Sequence, residues 1–141
     1  MIEKAYLDAG IISLFYAKDC PPKIKDLLEK IKAGSIEGHI LAPVLIEAFF
    51  NICKIDGIED AKISINSFLK QYPLHVGSEE TSLVISAGVL KCQHRDSLSY
   101  IDCMSIAYCL NNKCTFHSTE KELKKIQGNT LQKLHIVKYN F

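Results

Sequence analysis

The chain has 141 residues, enough to bury one sizeable core and too few for two domains of ordinary size. Hydrophobic residues make up 48% and charged residues 23%, which is the composition of a folded, water-soluble protein and excludes a disordered or membrane-embedded one. The formal net charge of +1 excludes nucleic-acid binding by bulk positive charge alone, but it leaves open a site made of converging acidic side chains. We therefore expect a single domain over residues 1–141.

The sequence shows no segment for export or for crossing a membrane. The longest apolar run, from Ile40 to Phe50, is interrupted by Glu47 and falls short of the roughly 20 residues that a spanning helix needs. No basic region leads into a long apolar stretch near the N-terminus, so no secretory signal is predicted. The six cysteines form no CxxC pair and lie mostly in apolar segments, which favours reduced thiols in the core. We expect a cytoplasmic protein.

Hydrophobic periodicity and turn residues divide the chain into short apolar runs that alternate with amphipathic segments. Parallel strands need crossover connections, and strands separated by helices are therefore typical of a mainly parallel sheet with helices on both faces. The sequence thus predicts a three-layer α/β fold. In chain order the predicted elements are a strand at Ala5–Leu7, helices at Ala9–Lys18 and Lys23–Ala33, a strand at His39–Ala42, helices at Pro43–Ile55 and Glu59–Gln71, a strand at Leu74–Val76, helices at Ser78–Cys92 and Ser99–Leu110, a strand at Cys114–His117, a helix at Thr119–Ile126 and a strand at Leu134–Val137.

Three acidic residues stand at predicted helix starts. Asp8 directly follows the first strand, and Glu120 comes just past the fourth. Ligands of open parallel sheets bind outside the carboxyl ends of the strands, so we expect both acids at that edge. Each also has a structural interpretation, because an acid at a helix start is stabilised by free backbone donors and by the helix dipole. Asp102 has one too, since Ser99 to Asp102 matches a capping box.

Glu47 stands among apolar neighbours, in the segment from Ala42 to Phe50. This setting predicts a buried carboxylate, and a buried carboxylate normally neutralises, pairs or binds a metal. The nearest basic residue along the predicted helix, Lys54, is seven positions away, which favours a functional role. Several carboxylates in one pocket repel one another unless a hard cation such as Mg²⁺ or Mn²⁺ neutralises them, and such an ion can activate a water for attack on phosphate.

Four short motifs, in this order and at this spacing, resemble the PIN domain over almost the whole chain. They are Tyr6-Leu7-Asp8, Ala42-Pro43-Val44-Leu45-Ile46-Glu47, Leu98-Ser99-Tyr100-Ile101-Asp102 and Phe116-His117-Ser118-Thr119-Glu120. The resemblance implies a five-stranded parallel sheet of order 3-2-1-4-5 and a ribonuclease site that binds Mg²⁺ or Mn²⁺. It maps Asp8, Glu47, Asp102 and Glu120 onto the family's catalytic, metal-binding acids, and Ser118 onto its small hydroxyl residue.

Many small stand-alone members of that family are toxins of VapBC-type toxin–antitoxin pairs. The resemblance therefore implies an RNA substrate and an antitoxin partner. The apolar second half of the Glu59–Gln71 helix could pack on the core or form part of a dimer or antitoxin groove, and we expect a homodimer without membrane association. The alternative is a weakly active or inactive PIN-like domain that binds RNA or serves as a scaffold. Glu120 stands where the family usually has Asp, and this departure keeps the alternative open. A second departure is Ala9-Gly10, which replaces hydroxyl or Asn residues.

Several weaker signals also have simpler interpretations. Asp96 could be an outer acid of the site, although a solvated loop residue beside Arg95 is the simpler interpretation. Arg95 and the nearby lysines could steer a phosphate backbone toward the acids. A zinc site that combines Cys114 with His117 is disfavoured, because residues three apart on a strand point to opposite faces. A nucleotide-binding Rossmann domain is discounted, since the first strand-to-helix turn lacks its glycine pattern.

Overall fold

The structure is a computed structural model that describes residues 2–78, 80–119 and 133–139. The prediction of five strands is confirmed, with ends shifted by a few residues, and helices separate the first four of them. The predicted helix at Thr119–Ile126 lies outside the described residues from position 120 onward. The described elements are β1 (Glu3–Leu7), α1 (Ala9–Phe15), α2 (Pro22–Ala33), β2 (Ile36–Leu41), α3 (Ala42–Asp56), α4 (Ile58–Gln71), β3 (Leu74–Gly77), α5 (Thr81–Gln93), α6 (Tyr100–Asn112), β4 (Thr115–Ser118) and β5 (Ile136–Lys138).

The five strands form one parallel sheet of order β3-β2-β1-β4-β5, as predicted. The central strand β1 has its last three residues, Ala5 to Leu7, fully buried. Side chains of a strand alternate between the two faces of the sheet, so an uninterrupted apolar run is what a strand covered on both faces requires. Because β1 ends at Leu7, residue 8 is the first position beyond the carboxyl end of the central strand.

Helices cover both faces of the sheet. On one face, Ile31 of α2 packs so close to Gly38 in β2 that a Cβ at position 38 would lie 3.1 Å from its Cγ2. On the other face, the hydroxyl groups of Tyr6 and Ser105 in α6 hydrogen-bond at 2.8 Å. That bond satisfies a polar group in the core. Together these contacts define the three layers that the sequence predicts.

Glycines end two of the helices that lie between the first three strands. Gly34 follows α2 with φ of 84°, and its N–H donates to the carbonyls of Ile31 and Lys30. Gly57 follows α3 with φ of 89°. Both conformations lie in the region that favours glycine, so each residue stops its helix and turns the chain toward the next element. No described helix is long and apolar enough to cross a membrane.

The cysteines form no disulfide, in agreement with the prediction of reduced thiols. Cys103, Cys109 and Cys114 are buried, whereas Cys92 at the end of α5 is exposed. Burial raises the pKa of the Cys114 thiol to about 11. A buried thiol that stays protonated is a poor nucleophile and metal ligand, so these core cysteines act as small apolar groups.

Candidate active site

Asp8 lies at the carboxyl end of the central strand, where it caps α1. Leu7 and His117 are partners in the register of β1 and β4, so the next residue of each strand, Asp8 and Ser118, meet at the same edge. The Ser118 hydroxyl donates a hydrogen bond of 2.8 Å to Oδ2 of Asp8, and the backbone N–H of Ala9 donates one of 2.8 Å to Oδ1. The sheet register thereby fixes the orientation of this carboxylate.

The Asp8 carboxylate is buried, with 7% of the residue exposed. Burial raises its pKa, the hydrogen bonds from Ser118 and Ala9 lower it, and the negative charge of Asp102 raises it again. The net shift is upward. Two donors therefore do not fully offset the loss of water and the nearby like charge, and a cation at this edge would favour the ionised form.

Asp102 lies in the first turn of α6 and forms the capping box that the sequence predicts. The N–H of Ser99 donates to its Oδ2 at 3.4 Å, while the N–H of Asp102 donates to Oγ of Ser99 at 3.1 Å. The residue is only partly buried. The same side chain thus begins the helix and contributes a negative charge next to Asp8.

Glu47 is exposed, so the prediction of a buried carboxylate was wrong. The buried positions of α3 form a narrow stripe of Val44, Ala48 and Ile52, four residues apart. Its apolar neighbour Ile46 is itself 70% exposed. The apolar neighbours of Glu47 along the sequence therefore did not indicate that Glu47 is buried, because α3 presents apolar side chains on a solvent-facing surface as well.

Glu47 and Asp102 nevertheless line the same surface depression, of about 450 Å³. Asp96 and Arg95, both exposed, border it too. The structure thus places Asp102 close enough to Asp8 for its charge to raise the pKa of that residue, and on the same depression as Glu47. Glu120, the fourth predicted acid, lies outside the described residues.

Lys91 fastens the loop between α5 and α6, a role that the sequence did not reveal. Its Nζ donates to the carbonyl oxygens of Arg95 at 3.0 Å and Leu98 at 2.6 Å, and it lies 4.8 Å from the centre of the Tyr100 ring. These contacts hold the loop that carries Asp96 and leads into the helix of Asp102. Nothing in the sequence spacing distinguishes Lys91 from an ordinary surface lysine, because its partners are backbone carbonyls.

Gly10 leaves room for the segment after β4. A Cβ at this position would overlap the Thr119 hydroxyl and lie 3.0 Å from Cβ and 3.1 Å from Cγ2 of the same residue. Such distances are shorter than normal packing allows. The family pattern has hydroxyl or Asn residues in this segment, whereas Gly10 has no side chain. In this chain the Thr119 side chain occupies the space that a side chain at position 10 would need.

These observations define an α/β domain with carboxylates gathered at the carboxyl end of its central strand, the position at which such sheets bind ligands. The family model described as PIN domain matches residues 5–129. The chain therefore belongs to the PIN domain family, as the sequence motifs indicated. A comparison with curated proteins finds no significant match.

Solved structures share the fold at low sequence identity. VapBC2 from Rickettsia felis, bound to a DNA fragment from its promoter, aligns with a TM-score of 0.72 at 16% identity over 97% of this chain and 99% of that one. A toxin–antitoxin complex from Klebsiella pneumoniae aligns with a TM-score of 0.63 at 16% identity, over 97% and 99%. VapC20 from Mycobacterium tuberculosis, a toxin that cleaves the sarcin–ricin loop, aligns with 0.60 at 14%, over 91% and 93%.

Proposed function

We propose that this protein is a ribonuclease that uses a bound Mg²⁺ or Mn²⁺ ion and acts as the toxin of a VapBC-type toxin–antitoxin pair. The observation that carries the proposal is the buried carboxylate of Asp8, whose pKa is raised by burial and by Asp102. A carboxylate kept in this setting is destabilising unless a cation binds there. The proposed activity therefore depends on the chemistry that a bound cation can supply at this site.

The donor chemistry fits a hard divalent cation. Asp8, Asp102 and Glu47 offer carboxylate oxygens, with Glu120 proposed as the fourth, and Mg²⁺ and Mn²⁺ prefer oxygen ligands. When bound, such an ion would activate a water for attack on phosphorus and stabilise the negative charge that builds up on the phosphate.

The remaining residues would position these acids and the substrate. Ser118 holds the Asp8 carboxylate in one orientation through its hydrogen bond. Lys91 keeps the α5–α6 loop in place. Arg95 on that loop is exposed at the depression, where its charge would attract a phosphate backbone toward the acids. Asp96, on the same rim, is proposed as an outer acid.

The structural relatives support the proposed substrate and partner. One is a toxin that cleaves the sarcin–ricin loop, and another is a toxin–antitoxin complex. Large apolar side chains are exposed on neighbouring helices of this chain, including Ile46 at 70% and Phe50 at 59% in α3 and Ile63 at 67% in α4. Apolar surface of this kind is usual where a partner binds, and we propose an antitoxin and a second copy of the chain as its partners in the cytoplasm. Phe68, in the same α4 segment, packs instead in the core.

The test is cleavage of a structured and an unstructured RNA with Mg²⁺, Mn²⁺ or EDTA, comparing the wild type with Asp8→Asn. We expect cleavage that requires the metal and disappears in Asp8→Asn. The matched control is Asp26→Asn, because Asp26 is an exposed acid on α2 paired with Lys30 and should leave cleavage unchanged. Circular dichroism establishes that each variant folds. Cleavage that persists in EDTA or in folded Asp8→Asn would contradict the proposal. Loss of the metal-dependent cleavage in folded Asp26→Asn would contradict it too.

The inactive RNA-binding or scaffold alternative is the other outcome of this experiment. It would be supported by RNA binding without cleavage in every metal. Among the described residues no feature favours it, and the acids Asp8 and Asp102 are both present, with the charge of Asp102 raising the pKa of Asp8.

A further inference from the structure

A second group of metal-ligating side chains lies away from the acidic site. Glu37 and His39 are two residues apart on β2 and so point to the same face of the sheet. His75 on β3 is the register partner of His39 and shares that face. One ligand atom from each of the three residues lies within 4.8 Å of the other two. Among the described residues, this is the one group of three or more such side chains that close together.

The cluster is separate from the carboxylates at the strand ends. Glu37 is the register partner of Lys4 in β1, four residues before Asp8. At about 3.3 Å per residue, this places Glu37 roughly 13 Å from Asp8 along the strands, and His39, the register partner of Tyr6, roughly 7 Å.

The distances in the cluster are close to those of a metal centre. Oε1 of Glu37 lies 2.7 Å from Nε2 of His39 and 3.7 Å from Nε2 of His75. Nitrogen and oxygen ligands at roughly 2.0–2.1 Å from a tetrahedral ion lie about 3.3 Å from one another. Glu37 and His39 therefore need only small shifts to hold one ion, and His75 a larger one.

His75 has the freedom to make the largest shift. Its side chain is 62% exposed, and its ring stacks on that of His39 with centres 4.8 Å apart and planes at 17°. Parallel rings do not aim their lone pairs at one point, so His75 must turn when an ion binds. Exposure at the edge strand β3 allows this rotation without disturbing the core.

Tyr108 provides the support that metal-binding histidines usually have. Its hydroxyl oxygen lies 2.8 Å from Nδ1 of His39. In the metal-free protein Nε2–H of His39 donates to Glu37, and Nδ1 accepts from the Tyr108 hydroxyl. An ion at Nε2 would displace that proton, and Nδ1–H would then donate to Tyr108 and hold the ring in one orientation.

We propose that Glu37, His39 and His75 bind a transition-metal ion, with Zn²⁺ as the best match, in a site that joins the edge strand to the sheet. Two imidazoles and one carboxylate suit Zn²⁺ better than Mg²⁺, which prefers oxygen ligands. A cavity of about 570 Å³ adjoins His39, His75 and Tyr108, so a fourth position is open to water or a small ligand. The ion would cross-link β2, β3 and, through Tyr108, α6.

The test uses metal-free, untagged protein titrated with Zn²⁺ in a calorimeter and with Co²⁺ by visible absorption, in the Asp8→Asn background. That background removes an acid of the other site, so failure of the proposed nuclease function does not affect the result. We expect one ion per chain and the intense absorption of four-coordinate Co²⁺. His75→Ala and Glu37→Gln should each weaken Zn²⁺ binding by about tenfold or more. His135→Ala removes another exposed histidine and is the matched control.

Stability gives a second readout. Because ligand binding to the folded state alone stabilises it, Zn²⁺ should raise the Tm of the Asp8→Asn protein and of its His135→Ala variant. It should raise the Tm of His75→Ala by less, because the same Zn²⁺ concentration then exceeds Kd by a smaller factor. Absence of Zn²⁺ binding in the folded protein, or unchanged affinity in folded His75→Ala and Glu37→Gln, would overturn the proposal. The contacts of Glu37 with the two histidines would then be only hydrogen bonds within the sheet.

Discussion

Gly10→Ala is the substitution whose effect can be worked out most fully from the structure. Gly10 lies in α1 and its φ is not positive, so the backbone accepts alanine and gains about 0.5–1 kcal/mol of helix propensity. Against this gain, the new Cβ overlaps the Thr119 hydroxyl and lies 3.0 Å from the Thr119 Cβ. Rotation of Thr119 relieves the hydroxyl but not its Cβ. Overpacking of this kind costs about 1–3 kcal/mol, so we expect a net destabilisation of about 1–2 kcal/mol.

The assay is urea unfolding of a double-mutant cycle with Thr119→Gly. In that background the atoms that a methyl group at position 10 would meet are gone, and Gly10→Ala should become neutral or stabilising by up to about 1 kcal/mol. Gly88→Ala is the matched control, because a Cβ at position 88 in α5 meets nothing within 4 Å. It should stabilise the protein in either background. Equal destabilisation by Gly10→Ala with and without the Thr119 side chain would refute the reasoning.

Three further predictions concern single contacts. Ser118→Ala removes the hydrogen bond to Asp8 and should lower the free energy of unfolding by about 1.5–3 kcal/mol, measured in urea; an unchanged value would mean that another donor replaces it. Lys91→Met keeps the side-chain stem but removes both hydrogen bonds to the α5–α6 loop, so limited proteolysis should cut this loop faster; an unchanged cleavage rate would show that the loop is held by other contacts. In the native protein at pH 8, a maleimide followed by mass spectrometry should label exposed Cys92, whereas Cys114, with its pKa raised to about 11 by burial, should react only on unfolding; equal labelling would contradict the burial.

The alternation of strands and helices could be predicted from the sequence because each element has its own local signal. Apolar runs mark the strands, and glycines such as Gly34 and Gly57 mark helix ends. Asp8 could be placed at the carboxyl edge of the sheet because it directly follows the first apolar run. The capping box of Asp102 could also be predicted, since it depends only on two residues three positions apart.

The features that were predicted wrongly, or not predicted at all, depend on packing between segments that are distant in the sequence. Glu47 was predicted to be buried from its sequence neighbours, but only one stripe of α3 faces the core. The cluster of Glu37, His39 and His75 depends on the register of β2 against β3, which the sequence does not specify. Lys91 donates to backbone carbonyls, which every residue has, so the pattern of side chains in the sequence does not predict these contacts.

Asp102 has two roles, in the capping box of α6 and in the candidate active site. Its presence in a related chain is therefore weak evidence that the chain is active. Since this carboxylate belongs to the capping box of α6, its loss would weaken a helix start whether or not the protein cuts RNA. A descendant that abandoned catalysis would thus still be under selection to keep it. Asp8 caps α1 as well, but its carboxylate is buried and its pKa is raised, so once no cation binds there an uncharged capping residue such as Asn or Ser would serve the helix without a buried charge. Drift at position 8, rather than at position 102, should be the earlier sign of a domain that has become inactive.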